Sequence, residues 1–328
     1  MKYYIIFLFL IFILCVFIWQ GIYLPKNPLG EEKIFKIEKD EGVREISSHL
    51  EKEGLIKSRL FFQIYVLLRC VSRKLQAGNY LLSPSMTIPE IGKKFVLGET
   101  IKEKITIIEG WNKNEIANHL EEKGIISAKD FLEKTKLRYW QEKYDFLKGV
   151  EDLDIEGFLF PDTYFVEKGI LAEKIIERML NNFDKKLTPE LREEISRQKK
   201  TIFEIVTMAS MLEKEVKNFE DKKLVSGILW KRLENGIPLQ VDATISYITG
   251  KKTTKISDEE TKIDSPYNTY KYKGLPLGPI CNPGLESILA SIYPEDSEYL
   301  YYLSTPTGET IFSKTLQEHN LAKAKYLR

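Results

Sequence analysis

The longest apolar stretch of the chain lies at its start. Residues 3 to 19 are all apolar or aromatic, and a helix extended to Leu24 would be roughly 30 Å long, about the thickness of a bilayer core. Lys2 and the amino terminus form a positive flank, and no small-residue cleavage site follows the run. We therefore predict an uncleaved anchor over residues 1–24, with the N-terminus in the cytoplasm and the chain after Pro25 outside the membrane.

A repeated pattern of alternating strand and helix signals follows the predicted anchor. The segment Glu45–Ile56 matches the segment Glu115–Ile126, and each copy has a glycine, Gly54 or Gly124, where its first helix should end. Small units of this kind resemble LysM-like modules, which bind N-acetylated glycan chains. We predict such a region over residues 25–148. The alternative is a spacer that holds the following domain off the membrane.

The remainder of the chain, residues 149–328, is predicted to be organised around one amphipathic helix over 201–216. Glu213 falls on its apolar face, whereas Glu204 and Glu215 fall outside that face and are predicted to be solvated. The apolar face consists of residues at helical spacing: Ile202, Ile205, Val206, Ala209, Leu212 and Val216.

A carboxylate on a buried face is costly unless it is paired or protonated. Two interpretations of Glu213 follow from this. It forms a structural ion pair with a nearby cation such as Lys217 or Arg232, or it is a general acid.

Two further stretches are polar or irregular where a packed core would be apolar. Residues 238–247 look like a strand but carry Gln240 and Asp242. Residues 264–284 form a long loop rich in proline, glycine and tyrosine, which includes Asn268. Loops of this length are usually ordered for a purpose, and tyrosine and asparagine suit sugar rings and acetamido groups.

Composition excludes several other classes of function. Lys and Arg number 49 against 48 Asp and Glu, so the net charge is +1 and nothing points to nucleic acid. The three histidines are scattered, no C-x-x-C motif occurs, and no glycine-rich phosphate loop is present. We therefore predict no metal site and no cofactor.

Six motifs resemble the YceG-like family of endolytic murein transglycosylases, in order and in spacing. The resemblance extends over nearly the whole chain, from the anchor to His319 and Asn320. The motifs are residues 156–164, 209–215, 239–244, 265–270, 274–279 and 282–284.

The resemblance implies an α+β protein: a transmembrane helix, a LysM-like repeat region and a mixed catalytic domain. It implies a lyase that cuts the β-1,4 bond between N-acetylmuramic acid and N-acetylglucosamine inside peptidoglycan strands, leaving 1,6-anhydro ends and terminating strand elongation. It places the catalytic domain outside the cell membrane, where peptidoglycan synthases (penicillin-binding proteins) are possible partners.

The family's catalytic acid, taken as the first glutamate of its E-K-E motif, falls on Glu213. The family motifs and the two polar stretches together give the expected substrate-binding residues. Asn282 departs from the family pattern, in which threonine is usual. The set is Glu156, Asp162, Gln240, Asp242, Asn268, Thr269, Tyr270 and Asn282.

Two other functions remain open at this point. A muramidase-type hydrolase would need a second carboxylate, for which Glu156, Asp162 and Asp242 are candidates. A non-catalytic glycan-binding scaffold of the wall-synthesis complex would need none.

Overall fold

The structure, a computed structural model, describes residues 2–148, 150, 154–167, 169–251, 256–305 and 307–327. Its mixed α+β composition agrees with the prediction. The chain groups into two compact units, one of residues 1–104 with 165–169 and one of residues 105–164 with 170–328.

The first unit begins with the predicted anchor. Among the described residues, its first helix is the one that is long and apolar enough to cross a membrane. The side chains of residues 3 to 17 are exposed, as expected for a helix that faces lipid. Met1 and the side chain of Lys2, part of the predicted positive flank, lie outside the described residues. The elements of this unit are α1 (Lys2–Tyr23), β1 (Lys33–Ile37), α2 (Val43–Lys52), α3 (Arg59–Leu68), β2 (Gly78–Leu82) and α4 (Ile88–Leu97).

The core of the first unit lies between a hairpin-like sheet and its helices. Strands β1 and β2 pair antiparallel, with Lys33 opposite Leu82, and the alternation of the strands turns Phe35 and Tyr80 inward. The end of α1 joins this core, because Ile22 is buried among the same side chains.

Several elements of the two predicted repeat copies correspond in the structure, whereas the LysM-like character of the region stays a prediction. Helices α2 and α5 (Lys113–Glu122) occupy matching positions in the two copies, and Ser58 and Ser127 cap the helices that follow them. Gly54 and Gly124 both have positive φ, 75° and 66°, which a side chain would strain. Glycan binding by this region stays a prediction.

The second unit contains the remaining elements. Strands β3 and β4 pair with each other, and the chain passes between the two units within them. Besides α5, the elements are β3 (Lys102–Thr106), α6 (Ala128–Lys134), β4 (Thr163–Glu167), α7 (Ala172–Lys186), α8 (Pro189–Arg197), α9 (Ile202–Glu215), α10 (Phe219–Glu234), α11 (Asp242–Thr249), α12 (Leu285–Ile292), β5 (Tyr301–Ser304), β6 (Thr310–Ser313) and α13 (Leu316–Tyr326).

The compact units do not divide at the predicted position of 148 and 149. The second copy of the repeat groups with the C-terminal part of the chain instead. Gly149 and residues 151–153, where the boundary was placed, lie outside the described residues. That the chain consists of two independently folding domains with a boundary between residues 148 and 149 stays a prediction.

Helix α9 is the predicted organising helix and lies at the centre of the second unit. It begins with a capping box formed by Thr201 and Glu204, and it packs against α8, α10, α11 and α12. Every residue from Ile205 to Leu212 is buried, so the helix has no solvent face along most of its length.

One predicted element is wrong. Residues 238–247 are not a strand, because α11 begins at Asp242 and ends before Gly250, whose φ is 67°. The polar residues that disturbed the strand pattern are therefore those around the start of a helix, where Thr244 donates a hydrogen bond to the carbonyl of Val241 at 2.7 Å.

Candidate active site at the end of helix α9

Glu213 lies near the end of α9 and accepts three hydrogen bonds. The Lys222 ammonium on α10 is 3.4 Å from its Oε1. Its Oε2 accepts the backbone N–H of Gly284 at 3.0 Å and the hydroxyl of Ser287 at 2.6 Å. The side chains of Lys222 and Glu213 are only 4% and 10% exposed. These three donors tie α9 to α10 and to the start of α12.

A second carboxylate, Glu109, lies beside this arrangement. Its carboxyl group occupies the space next to Gly284, where an added Cβ would overlap with it. Burial, together with the charge of Glu213, raises the pKa of Glu109. The same turn brings Gly110 to hydrogen-bond distance of the Asn282 carbonyl, at 2.9 Å. The sequence analysis did not identify Glu109, because it lies in a short loop with no periodic pattern around it.

Glu215 lies two residues further along α9 and has different neighbours. It accepts the N–H of Ala243 at 3.3 Å and the hydroxyl of Tyr302 at 3.3 Å. Burial, followed by the nearby charge of Asp242, raises the pKa of Glu215 to about 7. Tyr270 donates its hydroxyl to Asp242, which links the long loop to this carboxyl pair.

Arg232 holds the neighbouring side of this cluster. Its guanidinium donates to the carbonyl of Pro238 at 2.5 Å and to the side chain of Gln240 at 3.0 Å, and it lies against the ring of Tyr301. Arg232 is 5% exposed, and burial lowers its pKa. Gln240 itself is exposed and has a backbone φ of 53°. Its hydrogen bond with Arg232 holds its side chain at the surface of the cluster.

Two sequence-based interpretations of this helix end are corrected here. Glu215 is half-buried and not fully solvated, because Ala243 of α11 and Tyr302 lie against this end of α9. The cation beside Glu213 is neither Lys217 nor Arg232 but Lys222, one turn into the next helix. Met208 and Met211, apolar residues outside the predicted stripe, were the signal of all-round burial.

Glu156 and Asn282 are buried, with exposures of 3% and 0%, and substrate contact by either residue stays a prediction. The amide of Asn282 donates to Glu156 at 2.8 Å and to the carbonyl of Trp111 at 2.9 Å, and its oxygen accepts the N–H groups of Gly157 and Leu159. Asparagine serves this junction because it both donates and accepts. Burial raises the pKa of Glu156 to about 8.

Asn268 and Thr269 are also buried, each 1% exposed, and they order the long loop. Asn268 bonds the carbonyls of Thr261 and Ile263, and Thr269 accepts the N–H of Val241 at 3.0 Å. Both were expected to contact substrate, but their polar groups are used within the protein.

Asp162 forms a separate polar group. It is exposed and accepts the side-chain amide of Asn182 at 2.9 Å, and that hydrogen bond lowers its pKa. The hydroxyl of Tyr164 completes the group at 3.2 Å from the same amide. Asp162 thus has a different hydrogen-bond partner from either glutamate of α9.

The structure thus brings Asp242 and Tyr270 together beside Glu215, and Gln240 lies next to them on Arg232. A carboxyl with a pKa near 7 can both donate and accept a proton at neutral pH, which is the requirement of a general acid and base. Within the described part of the chain, no group of three or more His, Cys, Asp or Glu side chains has the arrangement of a metal site.

Comparison with known proteins finds relatives over most of the chain. A sequence profile of the YceG-like family matches residues 35–325. The chain is 34% identical over 298 residues to an endolytic murein transglycosylase of Bacillus subtilis, with 87% of this chain and 82% of that protein covered. It is 33% identical over 315 residues to one from Streptococcus pneumoniae, a longer protein of which the match covers 56%.

A solved structure has the same fold. The crystal structure of a yceG-like protein from Listeria monocytogenes matches with a TM-score of 0.62 and 35% identity, and the match covers 90% of this chain and all of that one. The α+β architecture with its central helix and mixed second unit therefore defines the class of protein. The chain belongs to the YceG-like family.

Proposed function

We propose that this protein is a membrane-anchored endolytic transglycosylase of peptidoglycan. The observation that carries the proposal is the proton-exchanging carboxyl of Glu215, surrounded by Asp242, Tyr270 and Tyr302 at the end of the central helix. The relatives named for this activity, at 33–34% identity over most of the chain, support it.

The lyase reaction needs one acid and base. Glu215 protonates the glycosidic oxygen as the bond to the anomeric carbon of N-acetylmuramic acid breaks. It then accepts the proton of the 6-hydroxyl of the same sugar as that oxygen bonds to the anomeric carbon. The product end is a 1,6-anhydro sugar. An intramolecular hydroxyl has an effective concentration on the order of 10⁵ M or more in favourable cases, which lets it outcompete water.

Glu213, predicted from the sequence, is the second candidate for the acid. Both of its carboxyl oxygens are engaged by donors within the protein, among them the Lys222 ammonium, whereas Glu215 accepts two hydrogen bonds of 3.3 Å beside the exposed Asp242. The geometry therefore favours Glu215. Gln240, Asp242 and Tyr270 are proposed to contact the sugar beside it, because all three are exposed or partly exposed.

A hydrolase acting on the same bond is an alternative with one observation in its favour. Asp242 is close enough to Glu215 for its charge to raise the pKa of that carboxyl, so two carboxyl groups are present together. A non-catalytic scaffold has no such observation.

The product distinguishes these functions. Purified glycan strands are incubated with the full-length protein in detergent and water labelled with heavy oxygen, and the new ends are weighed by mass spectrometry. We expect unlabelled anhydro ends on fragments of mixed length, because an endolytic enzyme cuts inside strands. Reducing ends that carry the label would establish a hydrolase. Strands that stay uncut would favour the non-catalytic scaffold.

The proposed location has the N-terminus in the cytoplasm and the second unit outside. It is supported by helix α1. A reporter fused after the last residue should be active only outside the cytoplasm. Glycan binding by the repeat region and contact with peptidoglycan synthases belong to the same proposal. Co-purification after cross-linking would reveal contact with a synthase.

A further inference from the structure

Helix α3 carries an apolar face that no other element of the first unit covers. Phe62 and Val66 are buried in the core of that unit, 0% and 1% exposed. On the other side of the helix, Leu60, Leu67 and Leu68 are 59%, 75% and 71% exposed. At about 100° per residue these three leucines form one continuous strip. Three leucines side by side are an unusual surface for contact with water.

The contact between α3 and α1 sets the depth of this strip. The rings of Phe61 and Phe17 pack edge to face at 5.5 Å, and a Cβ at Gly21 would overlap with the Phe61 ring. Phe17 lies six residues before the end of α1 at Tyr23, about 9 Å along the helix axis. Since α1 is just long enough to span a bilayer core, the contact falls at the level of one leaflet.

The charge of the surrounding segment is one-sided. Residues 54–89 contain no Asp or Glu, although the whole chain is nearly balanced at +1. The five basic residues of the segment are all exposed, and they lie immediately before, within and after α3: Lys57, Arg59, Arg69, Arg73 and Lys74. A leucine strip bordered by cations is the composition of helices that lie at a lipid surface.

We propose that α3 is a second membrane contact, which lies in the interface of the bilayer that α1 crosses. Its leucine strip enters the upper acyl region, and the basic residues face anionic phosphate groups. The inference rests on α1 as a membrane anchor. The leucine strip of α3 continues the apolar surface of α1, because Phe61 of α3 packs against Phe17 of α1. The first unit would then rest on the membrane, contrary to the role of a spacer that stands away from it.

Lipid is favoured over a protein partner by position and by charge. A second copy of this chain would bring the same five cations together, which costs free energy. Anionic lipid instead attracts them electrostatically.

The test measures where α3 lies in the full-length protein, reconstituted in nanodiscs of phosphatidylglycerol and phosphatidylcholine. An environment-sensitive dye is attached at Leu67→Cys, with Cys15→Ser and Cys70→Ser removing the exposed native thiols; Cys281 is buried. Leu60→Cys is a second position on the strip. The matched control is Ile34→Cys, because Ile34 is 71% exposed on the outer face of the β1–β2 sheet of the same unit.

We expect the dye at 67 and at 60 to be quenched by lipids with a shallow spin label and protected from aqueous iodide. The dye at 34 should show the reverse. If the dye at 67 behaves like the dye at 34, the proposal is wrong. Protection at 67 from both quenchers would also overturn it, because a protein surface would then cover the strip.

Two further measurements separate this proposal from the anchor itself. A dye on the native Cys15, which is exposed on α1, reports whether that helix is inserted; without deep-lipid quenching there, the anchor fails as well. Replacing phosphatidylglycerol by phosphatidylcholine should reduce lipid quenching at 67. An unchanged value would overturn the role given to the basic residues.

Discussion

Two carboxyl groups at one end of α9 lie two residues apart and have opposite surroundings. Glu213 accepts hydrogen bonds from an ammonium group, a hydroxyl and a backbone N–H. Glu215 receives a hydroxyl and one long backbone bond, and its other neighbour, Asp242, is an acid. A buried ion pair and a carboxyl with a raised pKa are thus built on the same helical turn, and the difference comes from the elements packed on either side.

The sharpest test of this comparison is a pair of matched variants. Glu215→Gln keeps the shape of the side chain but removes its proton, so the rate of strand cleavage should fall by about 10²–10⁴-fold, the usual contribution of a general acid. Glu213→Gln should retain cleavage activity per folded molecule, because its proposed role is structural. The rate is followed by mass spectrometry of new ends, with circular dichroism to confirm that both variants are folded.

The reverse outcome would settle the matter in favour of the sequence-based assignment. If Glu213→Gln is folded and inactive while Glu215→Gln still cuts, Glu213 is the acid. If both variants cut at the original rate, neither carboxyl is the acid and the proposed function loses its main support.

The ion pair itself is tested by stability. Lys222→Met removes the ammonium and leaves the Glu213 carboxylate, which is 10% exposed, without its cation, so the free energy of unfolding should fall by about 3 kcal/mol. Adding Glu213→Gln to Lys222→Met should restore much of that loss, since no unpaired charge is then buried. Denaturant unfolding of both proteins measures this. Equal stability of Lys222→Met and the parent protein would refute the pair.

The pattern of α9 shows how far sequence reasoning reaches here. Apolar spacing from Ile202 to Val216 was enough to predict the helix, and the placement of Glu213 against a packed surface was confirmed. The character of Glu215 was not predictable in this way. It depends on α11 and on Tyr302, which are distant in the sequence, and a helical wheel contains no information about them.

Substrate contact by the predicted set stays a prediction, and the structure separates its members by how their polar groups are used. Polar residues in a long loop indicate a site only if their side chains are not used to order the loop. Asn268 and Asn282 each form several bonds inside the protein, whereas Asp242 and Tyr270 meet near Glu215. Motif order identified the region, and only the three-dimensional arrangement separated the scaffold from the candidate site.

Glu156 provides a third setting, a carboxyl buried away from both glutamates of α9. Its pKa is raised from 4.5 to about 8, so its contribution to stability is complete below about pH 4.5 and is lost as the pH rises to about 8. Glu156→Gln, which mimics the protonated form, should flatten the decline of the melting temperature across that window. Thermal unfolding at pH 5, 6.5 and 8 measures this. A decline identical to that of the parent protein would contradict the raised pKa.

The smallest expected effect concerns Asp242 and the pH dependence of cleavage. Burial is the main reason that the pKa of Glu215 is raised to about 7, and the charge of Asp242 adds to it. In Asp242→Asn that charge is absent, so the pKa of Glu215 should fall towards its ordinary value, although burial keeps it raised. A general acid is active when protonated, and the loss of activity on raising the pH should therefore occur at lower pH in the variant. The measurement is kcat/KM against pH for the parent, Asp242→Asn and Lys222→Met, with the last as the control that alters Glu213 instead. A shift of the basic limb in Asp242→Asn alone would assign that limb to Glu215. A shift in Lys222→Met alone would assign it to Glu213, and it would reverse the comparison between the two sides of α9.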